Sequence, residues 1–225
     1  MKHRLSHGTL AAIIIVAVII IDQCIKIWVK THFFYGEEYR IASWFRLLFI
    51  ENNGMAFGME LGSKFFLTWF RIIAVGLLIF YLVKMRKRKQ LARGYVVCIS
   101  LITAGALGNV IDCIFYGLIF NEPAPPEVAQ LFPPDGGYQS LFNGRVVDMF
   151  YFPLCEWNWP AWMPLVGGEH FIFFQPIFNF ADACLSVSVI SLILFYSKFL
   201  AADKECKPHA DNPGGEDLQD DNTEN

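Results

Sequence analysis

Charge is scarce in this chain. Asp, Glu, Lys and Arg make up 17% of its 225 residues, hydrophobic residues 55%, and the mean hydropathy is +0.39. That balance excludes an ordinary soluble domain and fits a single membrane-embedded unit. Metal-ligand patterns are missing too. No CxxC pair and no Cys/His ligand spacing occurs among Cys24, Cys98, Cys113, Cys155, Cys184 and Cys206 or among His3, His7, His32, His170 and His209. Zinc and thioredoxin-type chemistry are therefore not expected, and the dispersed cysteines read as small apolar packers. There is no GxSxG, and no Cys or Ser has an evident His partner, so the common nucleophile arrangements find no support. No internal repeat is visible.

What is present is hydrocarbon. Four apolar segments, about 9–29, 65–84, 95–117 and 176–199, are each near the ~20 residues a helix needs to cross a bilayer. Lys2 and Arg4 precede the first, and Lys84, Arg86, Lys87, Arg88, Lys89 and Arg93 fill the link between the second and third. The stretch 118–175 holds Arg145 as its one Lys or Arg. The positive-inside rule then places both termini and the 85–94 link in the cytoplasm and turns 30–64 and 118–175 outward. The first segment begins like a signal peptide, but Ile21-Asp22-Gln23-Cys24 is no small-residue cleavage site, so a retained helix is expected. The net charge of −3 reflects the tail. Residues 203–225 carry eight acids and two lysines, and without them the chain has 16 basic and 13 acidic residues. Such a tail buries no core and reads as disordered.

Outside the spans, Tyr39 to Glu51 is rich in aromatic and β-branched residues and predicts a short sheet, ending in the turn signal Asn52-Asn53-Gly54. Residues 121–137 are rich in Pro and Gly and read as a loop. Trp157, Trp159 and Trp162 read as interfacial anchors or as the rim of a lateral entrance. The expected fold is an all-α membrane protein: residues 1–202 form one domain of four transmembrane helices with a small extracytoplasmic β-rich and loop subdomain, followed by the acidic cytoplasmic tail 203–225.

The few polar residues inside the spans are patterned. Asp22 stands four residues before Lys26, the order that favours an ion pair on a helix. Gly105, Gly108, Asn109 and Asp112 share one helical face, suited either to close packing or to a substrate backbone. Arg71 is the lone charge within the second span; its side chain is long enough to reach outward, and no role is assigned to it. In the fourth span Asn179, Asp182, Ala183 and Ser186 share a face, and Pro176 marks the expected helix start. Asp148 follows the strand-like Val146-Val147 and precedes the apolar Met149-Phe150-Tyr151-Phe152. A carboxylate beside hydrocarbon is costly and points to function. Two of them, Asp148 and Asp182, at one depth near the outer leaflet suggest a pair sharing one proton, the device by which two carboxyl groups hydrolyse an amide without metal or covalent nucleophile. Two other classes compete. A proton-coupled transporter or channel would spread its acids through the membrane and favour repeats; a non-catalytic anchor or assembly factor would not require both aspartates.

Five blocks resemble, in order, those of the lipoprotein signal peptidase (signal peptidase II) family: Asp22-Gln23 with Lys26, Asn52-Asn53-Gly54-Met55-Ala56-Phe57-Gly58, Gly105-Ala106-Leu107-Gly108-Asn109-Val110-Ile111-Asp112, Gly144-Arg145-Val146-Val147-Asp148 and Phe178-Asn179-Phe180-Ala181-Asp182-Ala183. The resemblance covers about residues 10–200. It implies an aspartic endopeptidase of the bacterial inner membrane that removes the signal peptide of diacylglyceryl-modified prolipoproteins just before the lipidated cysteine. It implies Asp148 and Asp182 as catalytic dyad, Asn52, Gly54, Asn109, Asp112, Asn179 and Ala181 as shaping the substrate pocket, and Asp22 with Lys26 as a structural pair. It implies no cofactor, prolipoprotein and membrane lipid as partners without nucleic acid, inhibition by globomycin-like cyclic peptides, and an active site near the periplasmic leaflet.

Two features depart from that pattern. The family commonly has Arg straight after the third-span Asp, where this chain has Cys113; Arg145, alone in its loop, is the expected compensating contact to substrate. The stretches 118–143 and 153–175 are longer than the family core requires and are expected to form a lid or a lipid-facing platform.

Overall fold

The structure, a computed structural model, describes residues 5–53, 64–86, 88 and 91–196. Gly54, the basic residues Lys2, Arg4, Lys87 and Lys89, and the acidic tail lie outside the described residues.

Helix α1 (His7–His32) is capped by Ser6, whose Oγ accepts the Thr9 N–H at 3.1 Å. Val18, Asp22, Lys26, Val29 and Lys30 are buried, while Ile13, Val16, Ile20 and Ile21 face outward. Charges inside and hydrocarbon outside invert the pattern of a soluble helix, and lipid is the solvent that makes this stable. Helix α2 (Lys64–Met85) shows the same outward hydrocarbon. Helix α3 (Arg93–Ile111) runs on through a π-helical segment, Asp112–Tyr116, into the short α4 (Gly117–Ile119). Three helical runs, His7–His32, Lys64–Met85 and Arg93–Ile119, are long and apolar enough to cross a membrane. The chain is a multi-pass membrane protein, with α3 at its centre and α1, α2 and α5 (Phe180–Phe195) packed on it.

A four-stranded antiparallel sheet sits beside this bundle in the order β1-β2-β3-β6: β1 (Glu38–Ala42), β2 (Phe45–Asn52), β3 (Val146–Tyr151) and β6 (Ile177–Phe178). The strands expected between Tyr39 and Glu51 are β1 and β2, paired with each other; β2 takes its second partner, β3, from far along the chain. The segment 121–137 is a loop, held by a bridge between Phe120 and Leu131 and by hydrogen bonds such as that from the Phe132 N–H to the Ile119 carbonyl at 2.7 Å. A separate hairpin, β4 (Cys155–Asn158) with β5 (His170–Phe173), carries the tryptophans. Trp157 and Trp159 pack on Phe171, and Trp162 stands 80% exposed.

The helix expected as a fourth span begins later than Pro176 suggests. Ile177 and Phe178 pair with Tyr151 and Phe150, so the chain enters α5 from a strand and the helix starts at Phe180. Sheet pairing overrides the preference of proline for a helix start. The sixteen described residues of α5 extend about 24 Å, less than the ~30 Å hydrocarbon core.

Strand β3 separates two environments. Val147 and Met149 turn into a core with Val29, Phe33, Phe49, Tyr116 and Phe120. The intervening Asp148 points to the other face, towards the start of α5. Cys98 and Cys113 are buried packers, whereas Cys24 and Cys155 are exposed, and all the described cysteines are free thiols.

Candidate active site

The site is built outward from one ammonium group. Lys26 is wholly buried, and its Nζ lies 2.9 Å from Asp22 Oδ2, 2.7 Å from Asp112 Oδ2 and 2.8 Å from Asn109 Oδ1. Three acceptors from two helices satisfy its three N–H donors. The ion pair expected between Asp22 and Lys26 is therefore part of a larger cluster. Asp22 also accepts the Ala181 N–H at 3.0 Å, fixing the first turn of α5. Asp112 accepts Gln23 Nε2 at 2.9 Å and the Val147 N–H at 3.4 Å, fixing β3. Gln23 in turn accepts the Tyr116 hydroxyl at 3.1 Å.

Electrostatics then orients the amides. Asn109 Oδ1 must face the ammonium, so its Nδ2 turns to Asp182 Oδ1, at 2.8 Å. Asn179 is the N-cap of α5. Its Oδ1 accepts the Asp182 N–H at 3.0 Å, and Asp182 Oδ2 accepts the Asn179 N–H at 3.3 Å, closing a capping box. With its oxygen so engaged, the Asn179 Nδ2 donates to Asp148 Oδ1 at 2.7 Å and to Asn109 Oδ1 at 3.1 Å. Asn52, on the same face of β2 as Asp148 on β3, adds a side-chain hydrogen bond to Asp148. Asp148 and Asp182 are thus linked through Asn179 and Asn109.

Burial and the neighbouring Asp182 charge push the Asp148 carboxyl up to about 7, against the pull of the Asn179 and Asn52 donors and of Lys26. Asp148 and Asn179 are buried, Asp182 and Asn109 half-buried, and Ser186 one turn on is exposed, so the site opens along the α5 side. A carboxyl group that keeps its proton near neutrality, beside a second one held by N–H donors, can act as acid and base on one amide. Among the described residues no group of three His, Cys, Asp or Glu side chains is placed to hold a metal ion.

The remaining residues singled out in the sequence lie around this centre. Gly105 and Gly108 are packing positions: a Cβ on Gly105 would stand 2.5 Å from the Ala181 carbonyl oxygen, and one on Gly108 2.7 Å from Asp22 Oδ2. Ala181, with no exposed surface, fills that contact behind the aspartates. Arg145 lies at the outer edge. It pairs with Glu122 and, at 3.2 Å, with Glu51, and its guanidinium stands 5.1 Å from the Tyr138 ring centroid. Those contacts raise its already high proton affinity, the Glu122 hydrogen bond first. Arg71 does not reach outward; its Nη1 donates to Cys113 Sγ at 3.2 Å.

Sequence reasoning missed Gln23, Tyr116 and the buried pair of Lys30 with Glu51. Lys30 carried a signal, since Asp22, Lys26 and Lys30 follow one another at four-residue intervals on α1.

Comparison with known proteins agrees with this architecture. A family model described as Signal peptidase (SPase) II matches residues 14–198. A lipoprotein signal peptidase of Porphyromonas gingivalis is 51% identical over 195 residues, covering 87% of this chain and 86% of that protein. One from Amoebophilus asiaticus is 35% identical over 182 residues, covering 78% and 72%. A bacterial membrane enzyme solved by the in meso method at 1.9 Å resolution superposes with a TM-score of 0.55 at 26% identity, over 82% of this chain and 90% of that one. The chain belongs to the signal peptidase II family, the aspartic peptidases that process lipoproteins.

Proposed function

We propose that Asp148 and Asp182 are the catalytic dyad that cuts diacylglyceryl-modified prolipoproteins just before the lipidated cysteine. The observation that carries this is the linkage of the two carboxyl groups through Asn179 and Asn109 above the buried Lys26 cluster. Asp182 takes a proton from water as the water oxygen bonds to the scissile carbonyl carbon, and Asp148 gives its proton to the carbonyl oxygen. The resulting gem-diol returns a hydroxyl proton to Asp148, Asp182 protonates the departing nitrogen, and the C–N bond breaks. The dyad ends as it began. No cofactor enters the scheme.

Asn52, Asn109 and Asn179 hold the dyad and face the bound peptide, with Gly54 and Ala181 shaping the neighbouring pocket. Asp22, Lys26 and Asp112 fix the three elements that meet there. Arg145 anchors the outer loop at the mouth of the site. The four apolar segments support four membrane spans, and the distribution of Lys and Arg supports both termini in the cytoplasm and a site near the periplasmic leaflet of the inner membrane. That placement suits a substrate whose hydrocarbon stays in the outer leaflet while its apolar signal helix remains in the bilayer. Globomycin-like cyclic peptides fit the same opening.

The test is cleavage of a lipidated prolipoprotein peptide by the purified protein in detergent. Wild type cuts, and Asp148→Asn and Asp182→Asn lose nearly all activity while remaining folded. Full activity in either variant removes the dyad, and loss of activity on adding a chelator would point to a metal.

A further inference from the structure

A second ion cluster lies on the face of the sheet turned away from the aspartates. Glu51 and Asn52 are neighbours at the end of β2, so their side chains point to opposite faces. Asn52 turns to Asp148 and hydrogen-bonds it. Glu51 turns the other way, with 5% of its side chain exposed, and both of its carboxylate oxygens are engaged. Oε1 pairs with Lys30 on the last turn of α1, and Oε2 lies 3.2 Å from Nη1 of Arg145, the residue before β3. The buried Lys30 ammonium stands 5.2 Å from the ring centroids of Phe120 and Tyr138 and 5.7 Å from that of Phe49. The Tyr138 hydroxyl accepts the Arg145 backbone N–H at 2.7 Å.

A buried ion pair brings little net stability over apolar side chains of similar size, so its place in the fold calls for another reason. The strand ladder supplies one. β2 and β3 change register between Leu47 and Ile50, and among the described residues three pairs follow: Ile50 with Asp148, Glu51 with Val147 and Asn52 with Val146. A strand end held by so short a ladder beyond an irregularity opens easily. The Asn52 amide, which must keep its place on a reacting carboxyl group, sits at that end. Glu51 ties the same end to α1, which also carries Asp22 and Lys26, and to the start of β3.

We propose that Glu51 is a positioning residue for the dyad: clamped between Lys30 and Arg145, it holds the end of β2 so that the Asn52 amide stays on Asp148. Glu51 acts through Asn52, from the opposite face of the sheet. The stripe Asp22, Lys26 and Lys30 on α1 then serves both faces, Lys26 beneath the dyad through α3 and Lys30 behind it through β2.

The inference rests on the peptidase reading, and the experiment separates the two. Cleavage of a lipidated prolipoprotein peptide is followed against pH for wild type, Glu51→Gln, Lys30→Met combined with Glu51→Leu, Asn52→Ala, and Asn52→Ala combined with Glu51→Gln. Melting in detergent is recorded over the same pH range. The apolar double variant removes both charges of the pair together, so neither is left buried alone. The groups facing Asp148 are Asn52 from β2, Asp182 and Asn179 from α5 and Lys26 from α1. Displacing the Asn52 donor removes one stabiliser of the charged carboxylate, so Asp148 holds its proton to higher pH. The double variant therefore lowers kcat about tenfold at neutral pH with KM little changed, and its alkaline limb of cleavage moves up by about half a unit to one unit. Glu51→Gln, which keeps one acceptor, changes both in the same direction by less. In the Asn52→Ala parent Glu51→Gln adds nothing, an outcome that a merely structural role would not give. Should the double variant not fold, Glu51→Gln and this cycle decide alone. The proposal is overturned by wild-type kcat and limb in the Glu51 variants, by a drop in kcat with the limb unmoved, or by losses that add in the Asn52→Ala parent. If wild type cuts nothing, the peptidase reading fails, while the pH dependence of melting still reads Asp148: an upward shift in the Glu51 variants upholds the positioning role and an unchanged profile removes it.

Discussion

Lys26 Nζ and Asn109 Oδ1 lie 2.8 Å apart, and that contact decides which end of the Asn109 amide faces Asp182. Reversal would aim an oxygen at a carboxylate and an NH2 group at an ammonium. The ion cluster therefore sets the hydrogen-bond polarity of the dyad as well as joining α1 to α3.

Lys26→Met should leave Asp22 and Asp112 buried without their cation. Breaking such a group costs about 3–5 kcal/mol, read as a large drop in melting temperature in detergent. Asn109→Leu keeps the ion pairs and should lose far less stability, yet lower kcat by about a hundredfold or more. Equal stability losses in the two variants would refute the division of labour.

Acidity should matter in one direction. An ordinary carboxyl group has its midpoint at 3.8, whereas Asp148 keeps its proton up to about 7. Between those values the folded chain binds more protons than the unfolded chain. The stability this group contributes is whole below the lower value and lost as pH rises through the upper one. Cleavage should fall about tenfold per unit above that point, since the acid form is consumed. In Asp148→Asn, melting should no longer decline between these limits as it does in wild type, although activity is gone.

Asn179→Ser tests whether cap and site can be parted. Serine is also a good N-cap, so stability should change by less than about 1 kcal/mol. The link to Asp148 and Asn109 is lost, and kcat should drop by roughly a hundredfold or more. Retained activity would show that the bridging amide is dispensable.

Gly144→Ala should fail for want of space. The added Cβ would stand 2.1 Å from the Asp112 carbonyl oxygen and 3.0 Å from the Gly117 N, both backbone atoms. The Gly144 N–H is bonded to the Cys113 carbonyl at 2.8 Å, so the strand cannot simply back away. A loss of about 3 kcal/mol is expected, with activity falling because β3 carries Asp148; a near-neutral melting temperature would contradict it.

Local regularity made part of this legible in the sequence. Spacing on one helix announced the Asp22–Lys26 pair and the shared face of Asn109 and Asp112, and composition announced β1 and β2. Long-range pairing stayed hidden. Nothing near Pro176 reveals that Ile177 and Phe178 pair with Tyr151 and Phe150, which is why α5 begins late. The same holds for Arg71, whose partner Cys113 is 42 residues away. The π-helical turn at Asp112–Tyr116 was equally invisible, since one extra residue in a turn leaves no periodic trace.

The capping box of α5 has a meaning for anyone moving this chemistry elsewhere. Asn179 and Asp182 begin a helix with the same two side chains that hold the dyad together, one end of each serving the cap and the other the link. A transplant that copied two aspartates alone would carry neither their spacing nor their polarity. The smallest portable unit is a helix start, with the strand that faces it and the buried cation beneath.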